Sequence, residues 1–225
     1  MKKGKFIVIE GTDGSGKNTQ KELLVKRFKK WGFPVEGISF PRYGTPTGDI
    51  IGDIYLGKTN RTSLGNWFGD ADKVNPQIAS LYFAADRVAH REKMLNLLDD
   101  GVNIISDRYV ESNMGHQGGK IKNYEERRNF IDFLVDLEYN LLELPKPDSV
   151  VFLYLPYQIA LKAVTNRGNS IDGHENESHM KNAEQSYLEL SDRFNWKKII
   201  CCFGMQIRSK EEIHDEVWNS IKDIL

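Results

Sequence analysis

The stretch Val8–Gln20, VIEGTDGSGKNTQ, decides the fold class. An apolar, β-branched run ends at Glu10, and Gly11, Gly14 and Gly16 then allow a tight turn. Lys17 opens a segment of good helix formers, Gln20, Lys21, Glu22, Leu23 and Leu24. A strand, a glycine turn and a helix in that order let backbone N–H groups converge on an anion at the positive end of the helix dipole. The expected phosphate cradle is therefore Gly11, Thr12, Asp13, Gly14, Ser15, Gly16, Lys17, Asn18 and Thr19, with Lys17 supplying a mobile charge. The Walker pattern places Ser or Thr directly after that lysine to ligate Mg²⁺, whereas this chain has Asn18, followed by Thr19. An amide oxygen can accept the cation or one of its waters but cannot donate a proton as a hydroxyl does. Asn18 is thus a candidate metal contact of altered chemistry. The competing reading is a glycine-rich turn with no ligand, and the coincidence of strand, glycines, lysine and helix argues against it.

Further along the chain, four more apolar runs read as strands: Val35 to Phe40, Val102 to Asp107, Ser149 to Leu155 and Lys198 to Cys202, after a first from Lys5 to Glu10. Their apolar residues are continuous rather than alternating, as parallel strands covered on both faces require. Helical patterns separate them. From Asn75 to Asp99, Ile78, Leu81, Tyr82, Ala85, Val88, Leu95 and Leu98 follow helical spacing. Tyr124 to Leu142 and Lys210 to Leu225 also read as helices, the latter packing Ile213, Val217, Ile221 and Ile224. Strands alternating with helices imply right-handed βαβ units in one α/β domain spanning residues 1–225. The polar stretches Thr59 to Lys73 and Thr165 to His179 are expected to be loops over a site.

Composition bounds the partners. The chain of 225 residues is 40% hydrophobic and 28% charged with a net charge of −1, so no global basic field points to polymeric nucleic acid or an anionic membrane. The N-terminal apolar run is too short for a secretory core or a membrane span. The two cysteines, Cys201 and Cys202, are adjacent in an apolar run, which suits buried core thiols better than a disulfide or a zinc site. A reducing, cytoplasmic setting is the expectation.

An enzyme that holds two anionic substrates in line needs cations beyond the cradle. Arg42 and Arg108 each follow a strand end, where ligands gather in an open parallel sheet. Arg87 lies in the helical segment SLYFAADRVAH, and Arg167 in the loop TNRGNSIDGHEN. Each arginine alone reads more readily as a solvated charge. Their shared placement shifts the balance. Asp107, before Arg108, either pairs with that arginine or holds a metal through water. Phe83 and Arg87 are four apart and so share a helix face, on which Phe83 serves as core packing or as a platform for a planar base. His116 reads as a pocket wall or a surface residue rather than a general base.

These blocks taken together resemble the thymidylate kinase family. The resemblance runs from IEGTDGSGKNTQ through FPRYGTPTG, LYFAADR, SDRYVES and HQGG to PKPDSVVFLYLP and NRG…D, nearly the whole chain. It implies a P-loop nucleotide kinase fold, a five-stranded parallel sheet wrapped by helices on both faces, and a homodimer that uses ATP and Mg²⁺ to phosphorylate dTMP. It further implies that Asp13 contacts the deoxyribose 3′-hydroxyl, and that Arg42 and Arg108 clamp the dTMP phosphate. Phe83 would stack on thymine, Arg87 would bond a thymine carbonyl, and Ser112 and Gln117 would line the base pocket. Arg167 would approach ATP from a lid at about residues 165–179. Lys17, Arg42, Arg108 and Arg167 are then the catalytic candidates, with Asn18 and Asp107 as metal candidates.

Two departures stand out. Family members carry a catalytic arginine either in the P-loop or in the lid. Here the P-loop position is Gly14, and the stretch Thr165 to His179 has one arginine, Arg167, leaving Lys162 and Arg193 as other candidates. Tyr154 also stands where an acidic residue is common. Other readings are a P-loop enzyme of different specificity or a silent nucleotide-binding module. A GTPase is set aside because the chain has no Asn-Lys-x-Asp segment.

Overall fold

The computed structural model describes residues 2–58, 62–63, 65–165 and 177–225. Five parallel strands form one sheet in the order β2-β3-β1-β4-β5: β1 Phe6–Glu10, β2 Val35–Ser39, β3 Asn103–Asp107, β4 Ser149–Tyr154 and β5 Lys197–Ile200. All five expected runs are strands, with ends within two residues of those read from the sequence. A short antiparallel hairpin, Cys202–Phe203 with Gln206–Ile207, follows β5. It carries no alternating pattern long enough to be read beforehand.

Alternation along β1 shows why both faces are covered. Ile7 and Ile9 join Val151, Leu153 and Ile199 on one face. They pack against Leu24 and Phe28 of α1 (Lys17–Lys30) and Val217 and Trp218 of α8 (Lys210–Ile221). Phe6 and Val8 point the other way, toward Met94 and Leu98 of α3 (Pro76–Asp99) and Phe130 and Leu134 of α5 (Tyr124–Val135). Each fully buried side chain of this size contributes roughly 1.5–3 kcal/mol, so the two layers hold the sheet from both sides. Cys201 and Cys202 are free and buried, as expected. The remaining helices are α2 (Pro46–Asp49), α4 (Val110–Ser112), α6 (Tyr157–Thr165) and α7 (Glu177–Arg193).

Helix α3 departs from its sequence reading. Of its helically spaced apolar residues, Ile78, Leu81, Ala85 and Val88 are exposed, Tyr82 and Leu95 are half-buried and only Leu98 is in the core, whereas Asp86 and Arg87 are buried. Polar burial on this scale is stable only with partners in place, and both side chains have them, as described below. The lid segment also differs at its far end: His179 lies inside α7 and is buried. Three π-helical segments, Ile50–Tyr55, Asn113–Gln117 and Asp136–Leu141, interrupt regular helix. The second and third widen the turns that carry Gln117 and Glu138, a placement common at functional sites.

Candidate functional site

The turn after β1 meets the turn after β3 at the carboxyl edge of the sheet. Gly14 has φ of +89°, and a Cβ there would lie 2.7 Å from the Ala160 carbonyl oxygen, so neither backbone nor space accepts an arginine. Lys17, at the first turn of α1, is buried and donates through Nζ to the Thr12 carbonyl at 3.0 Å, with Asp13 Oδ1 at 3.6 Å. Burial and then Arg108 push the Lys17 pKa down, against the pull of Asp13, Asp107 and Glu10. The Thr12 and Ser15 hydroxyls are buried without a hydrogen-bond partner, as are groups awaiting a ligand.

Arg108 has φ of +67°, a conformation disfavoured for a side chain of this size. It is held by an ion pair with Asp13 and by Nη1 to His116 Nε2 at 2.8 Å. Burial, the largest single influence, opposes its charge, but Asp13, Tyr187, Asp107 and Glu10 together outweigh it, and its pKa is raised. Beneath it lies Glu10, fully buried. It accepts from the Tyr109 N–H at 2.9 Å, from Ser112 Oγ at 2.9 Å and from Tyr187 Oη at 3.0 Å. Burial pushes the Glu10 pKa up, while Arg108 and Lys17 restrain the rise.

Two cavities meet over this cluster. One, of about 350 Å³, runs along the glycine turn and is lined by Asp13, Gly14, Gly16, Lys17, Asn18, Thr19, Asp107 and Arg108. The other, of about 300 Å³, lies between β2, α3 and the segment after β3. Its walls include Phe40, Tyr43, Phe83, Arg87, Ser112, Asn113, His116 and Gln117. Asp13, Asn18, Asp107 and Arg108 line both. A charged groove and a half-apolar pocket thus open onto the same four residues.

In the second cavity, Phe83 is half-buried and meets Tyr55 edge to face at 5.5 Å, so its other faces border the pocket. Arg87 is almost wholly buried. It grips Glu138 with Nε at 2.5 Å and Nη2 at 2.7 Å, and gives Nη1 to the Tyr109 carbonyl at 3.1 Å. Three of its five N–H groups are thereby spent, and two remain for the cavity. Gln117 donates to Tyr55 Oη at 3.1 Å, which also receives Lys120 Nζ at 2.9 Å. Arg42 is half-buried between Pro41 and Tyr43, both of which line the cavity. Its backbone N–H is anchored by Asp86 Oδ2 at 2.8 Å. Asp86 Oδ1 in turn accepts from the Thr47 hydroxyl at 2.7 Å, so this buried carboxylate shapes the turn that carries Arg42.

Among the described residues, no cluster of three or more His, Cys, Asp or Glu side chains forms a closed metal cage. The donor set nevertheless suits a hard cation that keeps its waters and binds mainly through phosphate. Asp107 Oδ1 is buried without a hydrogen-bond partner at the floor of the groove. Asn18, exposed at the groove edge, donates its amide to Glu22 Oε1 at 3.1 Å, so Oδ1 is the atom it can offer a cation.

The site residues expected from the sequence thus gather at one edge of the sheet, with two exceptions: the Arg42 side chain is not among the walls of either cavity, although its neighbours Pro41 and Tyr43 are, and Arg167 lies outside the described residues. Lys162 is exposed on α6. Arg193 pairs with Asp132 and lines a separate recess with Tyr124 and Arg127, so it is no substitute. Sequence reading missed Glu10, Asp86 and Glu138. Glu10 and Asp86 sit inside quoted motifs, and their unusual position at the end of an apolar strand and beside Arg87 was the available signal. Glu138 gave none.

The likeness to known proteins is broad. A protein-family model described as "Thymidylate kinase" matches residues 9–217. A protein named "Thymidylate kinase" from Prochlorococcus marinus (strain NATL2A) is 32% identical over 225 residues, 99% of this chain and 98% of that one. One named "Probable thymidylate kinase" from Thermococcus onnurineus is 31% identical over 213 residues, 94% of each chain. A solved thymidylate kinase structure from Candida albicans superposes with a TM-score of 0.73 at 25% identity, covering 99% of this chain and 92% of the other.

Proposed function

This chain belongs to the thymidylate kinase family, nucleoside monophosphate kinases that move the γ-phosphoryl group of ATP to dTMP, and on that premise we propose how its two cavities divide the work. The groove along Gly11–Thr19 holds the ATP phosphates, and the adjoining cavity holds dTMP. The observation that supports this is the sharing of Asp13, Asn18, Asp107 and Arg108 between the two. Phosphoryl transfer needs donor and acceptor in line, with charge stabilised where they meet, and little else from the protein.

In this reading Lys17 follows the γ-phosphoryl group as it moves, and Arg42 and Arg108 clamp the dTMP phosphate, whose oxygen is already a nucleophile and needs no base. Asp13, which orients Arg108, also meets the deoxyribose 3′-hydroxyl. Phe83 carries the thymine ring, Arg87 offers its remaining N–H groups to a thymine carbonyl, and Ser112 and Gln117 border the base. Arg167 completes the donor side from the lid. Asp107 and Asn18 are the residues that would hold Mg²⁺, directly or through water. Bound there, it would neutralise charge on the β- and γ-phosphate oxygens.

The exposed stripe Ile78, Leu81, Ala85 and Val88 has the 3–4 spacing of a helix-packing seam and supports a homodimer formed through α3. Free, buried cysteines suit a reducing cytoplasm. No described helix is long and apolar enough to cross a membrane. A coupled ADP-release assay over a panel of nucleoside monophosphates tests the assignment: dTMP should give the highest kcat/KM. Equal turnover of unrelated monophosphates, or none of any, would overturn it.

A further inference from the structure

Arg108 is the first member of a chain of hydrogen bonds that leaves the site. Its Nη1 meets His116 Nε2 at 2.8 Å, His116 Nδ1 meets His179 Nε2 at 3.0 Å, and His179 Nδ1 meets Asp72 Oδ1 at 2.6 Å. The two imidazole planes are 11° apart with centroids 5.3 Å apart. That separation is close to the N···N distance plus a ring radius on each side, so the rings meet edge to edge with lone pairs in plane.

The chemistry at the two ends fixes every proton between them. Arginine can only donate, so His116 Nε2 is the acceptor and His116 carries its proton on Nδ1. That proton goes to His179 Nε2, which leaves the His179 proton on Nδ1, facing the Asp72 carboxylate. The chain closes only with both rings neutral, and it runs in one direction. His116 and His179 are both buried, so each bond is made away from competing water.

We propose that His179 and Asp72 are positioning residues for dTMP binding, acting through the tautomer of His116 to hold the Arg108 guanidinium at the junction of the two cavities. The inference rests on the reading of Arg108 as a clamp on the dTMP phosphate. Asp72 lies in the segment before α3 and His179 in the first turn of α7, next to the lid, so the chain ties both to the acceptor phosphate. The Arg108 guanidinium needs such support, because Asp13 fixes only one side of the fork.

Steady-state kinetics with both substrates on Arg108→Ala, His179→Leu, His179→Gln and Asp72→Ala test it, alongside ¹⁵N NMR of the histidine rings. His179→Leu and Asp72→Ala should raise KM for dTMP about tenfold, the scale of one lost charge-linked hydrogen bond, with KM for ATP within about twofold. His179→Gln, whose amide oxygen can accept from His116 Nδ1, should recover most of that loss. NMR of the unmodified protein should show His116 protonated on Nδ1 and bare on Nε2. Should His179→Leu fail to fold, Asp72→Ala at its partly exposed position carries the kinetic arm. An unchanged KM for dTMP in Asp72→Ala, a rise in KM for ATP instead, a glutamine variant as poor as leucine, or a proton on His116 Nε2 each overturns the chain. If Arg108→Ala itself leaves KM for dTMP unchanged, the clamp reading falls first and the chain with it.

Discussion

Arg87 and Glu138, 51 residues apart, form a two-pronged ion pair with N···O distances of 2.5 and 2.7 Å and almost no exposure on either side. Asn113 adds a third hydrogen bond to the same carboxylate at 3.0 Å. Removing one partner leaves a buried charge without compensation, which typically costs about 3–5 kcal/mol. Glu138→Ala should therefore lower unfolding stability by that amount, read from urea denaturation. A loss below about 1 kcal/mol would mean that water reaches Arg87 and that the pair is not sealed.

The same arginine bears on substrate choice. Thymine offers carbonyls where cytosine has an amino donor, and Arg87 can only donate. Opposite cytosine, its remaining N–H groups would face a donor in a partly desolvated pocket, a mismatch of roughly ten- to hundredfold. We expect dTMP to exceed dCMP in kcat/KM by at least that range, and Arg87→Ala to erode the preference by damaging dTMP turnover. Phe83→Ala should weaken both pyrimidines together, since stacking reads any ring face. Equal use of dCMP by the unaltered enzyme would refute the readout while leaving the kinase intact.

Lys17→Ala removes the charge proposed to follow the moving phosphoryl group. Its expected effect is a fall in kcat of roughly two or more orders of magnitude. Turnover within a few-fold of the parent would sink the role given to the cradle.

Metal dependence separates Asn18 from Asp107. Asn18→Ser shortens the reach but restores a hydroxyl, and should lower the Mg²⁺ concentration for half-maximal rate. Asp107→Asn exchanges the partnerless carboxylate for a neutral amide and should raise it several-fold, by about one lost charge contact. Titrations that coincide with the parent would remove both residues from the metal site.

Glu111, next to Ser112 and under the field of Glu10 and Arg87, gives a stability test that needs no substrate. Burial pushes its pKa up to about 7, against the hydrogen bond from Tyr139 Oη at 2.5 Å. Because the folded pKa is raised, the folded chain holds a proton there that the unfolded chain has released above pH 4.5. Stability therefore falls as pH rises from about 4.5 to about 7, by roughly 3 kcal/mol, and is level beyond. Glu111→Gln should lose that slope and be the more stable protein at pH 8, as denaturation across pH 5–8 would read. A parallel slope in both proteins would assign it to other groups.

The sequence by itself determined the sheet, the cradle and the placing of Arg42 and Arg108 at strand ends. These follow from contiguous patterns: apolar runs of strand length, glycines at turn spacing, a lysine opening a helix. The free thiols were legible for the same reason. The tertiary structure alone decided which face of the first half of α3 turns inward, because Ile78, Leu81, Ala85 and Val88 of the helically spaced set are exposed, and buried Asp86 and Arg87 are stabilised by distant partners. Glu138 joins Arg87 through a widened helical turn that no local periodicity encodes, and Asp72, His179, His116 and Arg108 join across 107 residues of chain between the outermost pair. Hydrogen-bond partners of buried charges are chosen by where the backbone brings side chains together. Local sequence carries element type, and long-range packing carries the pairing.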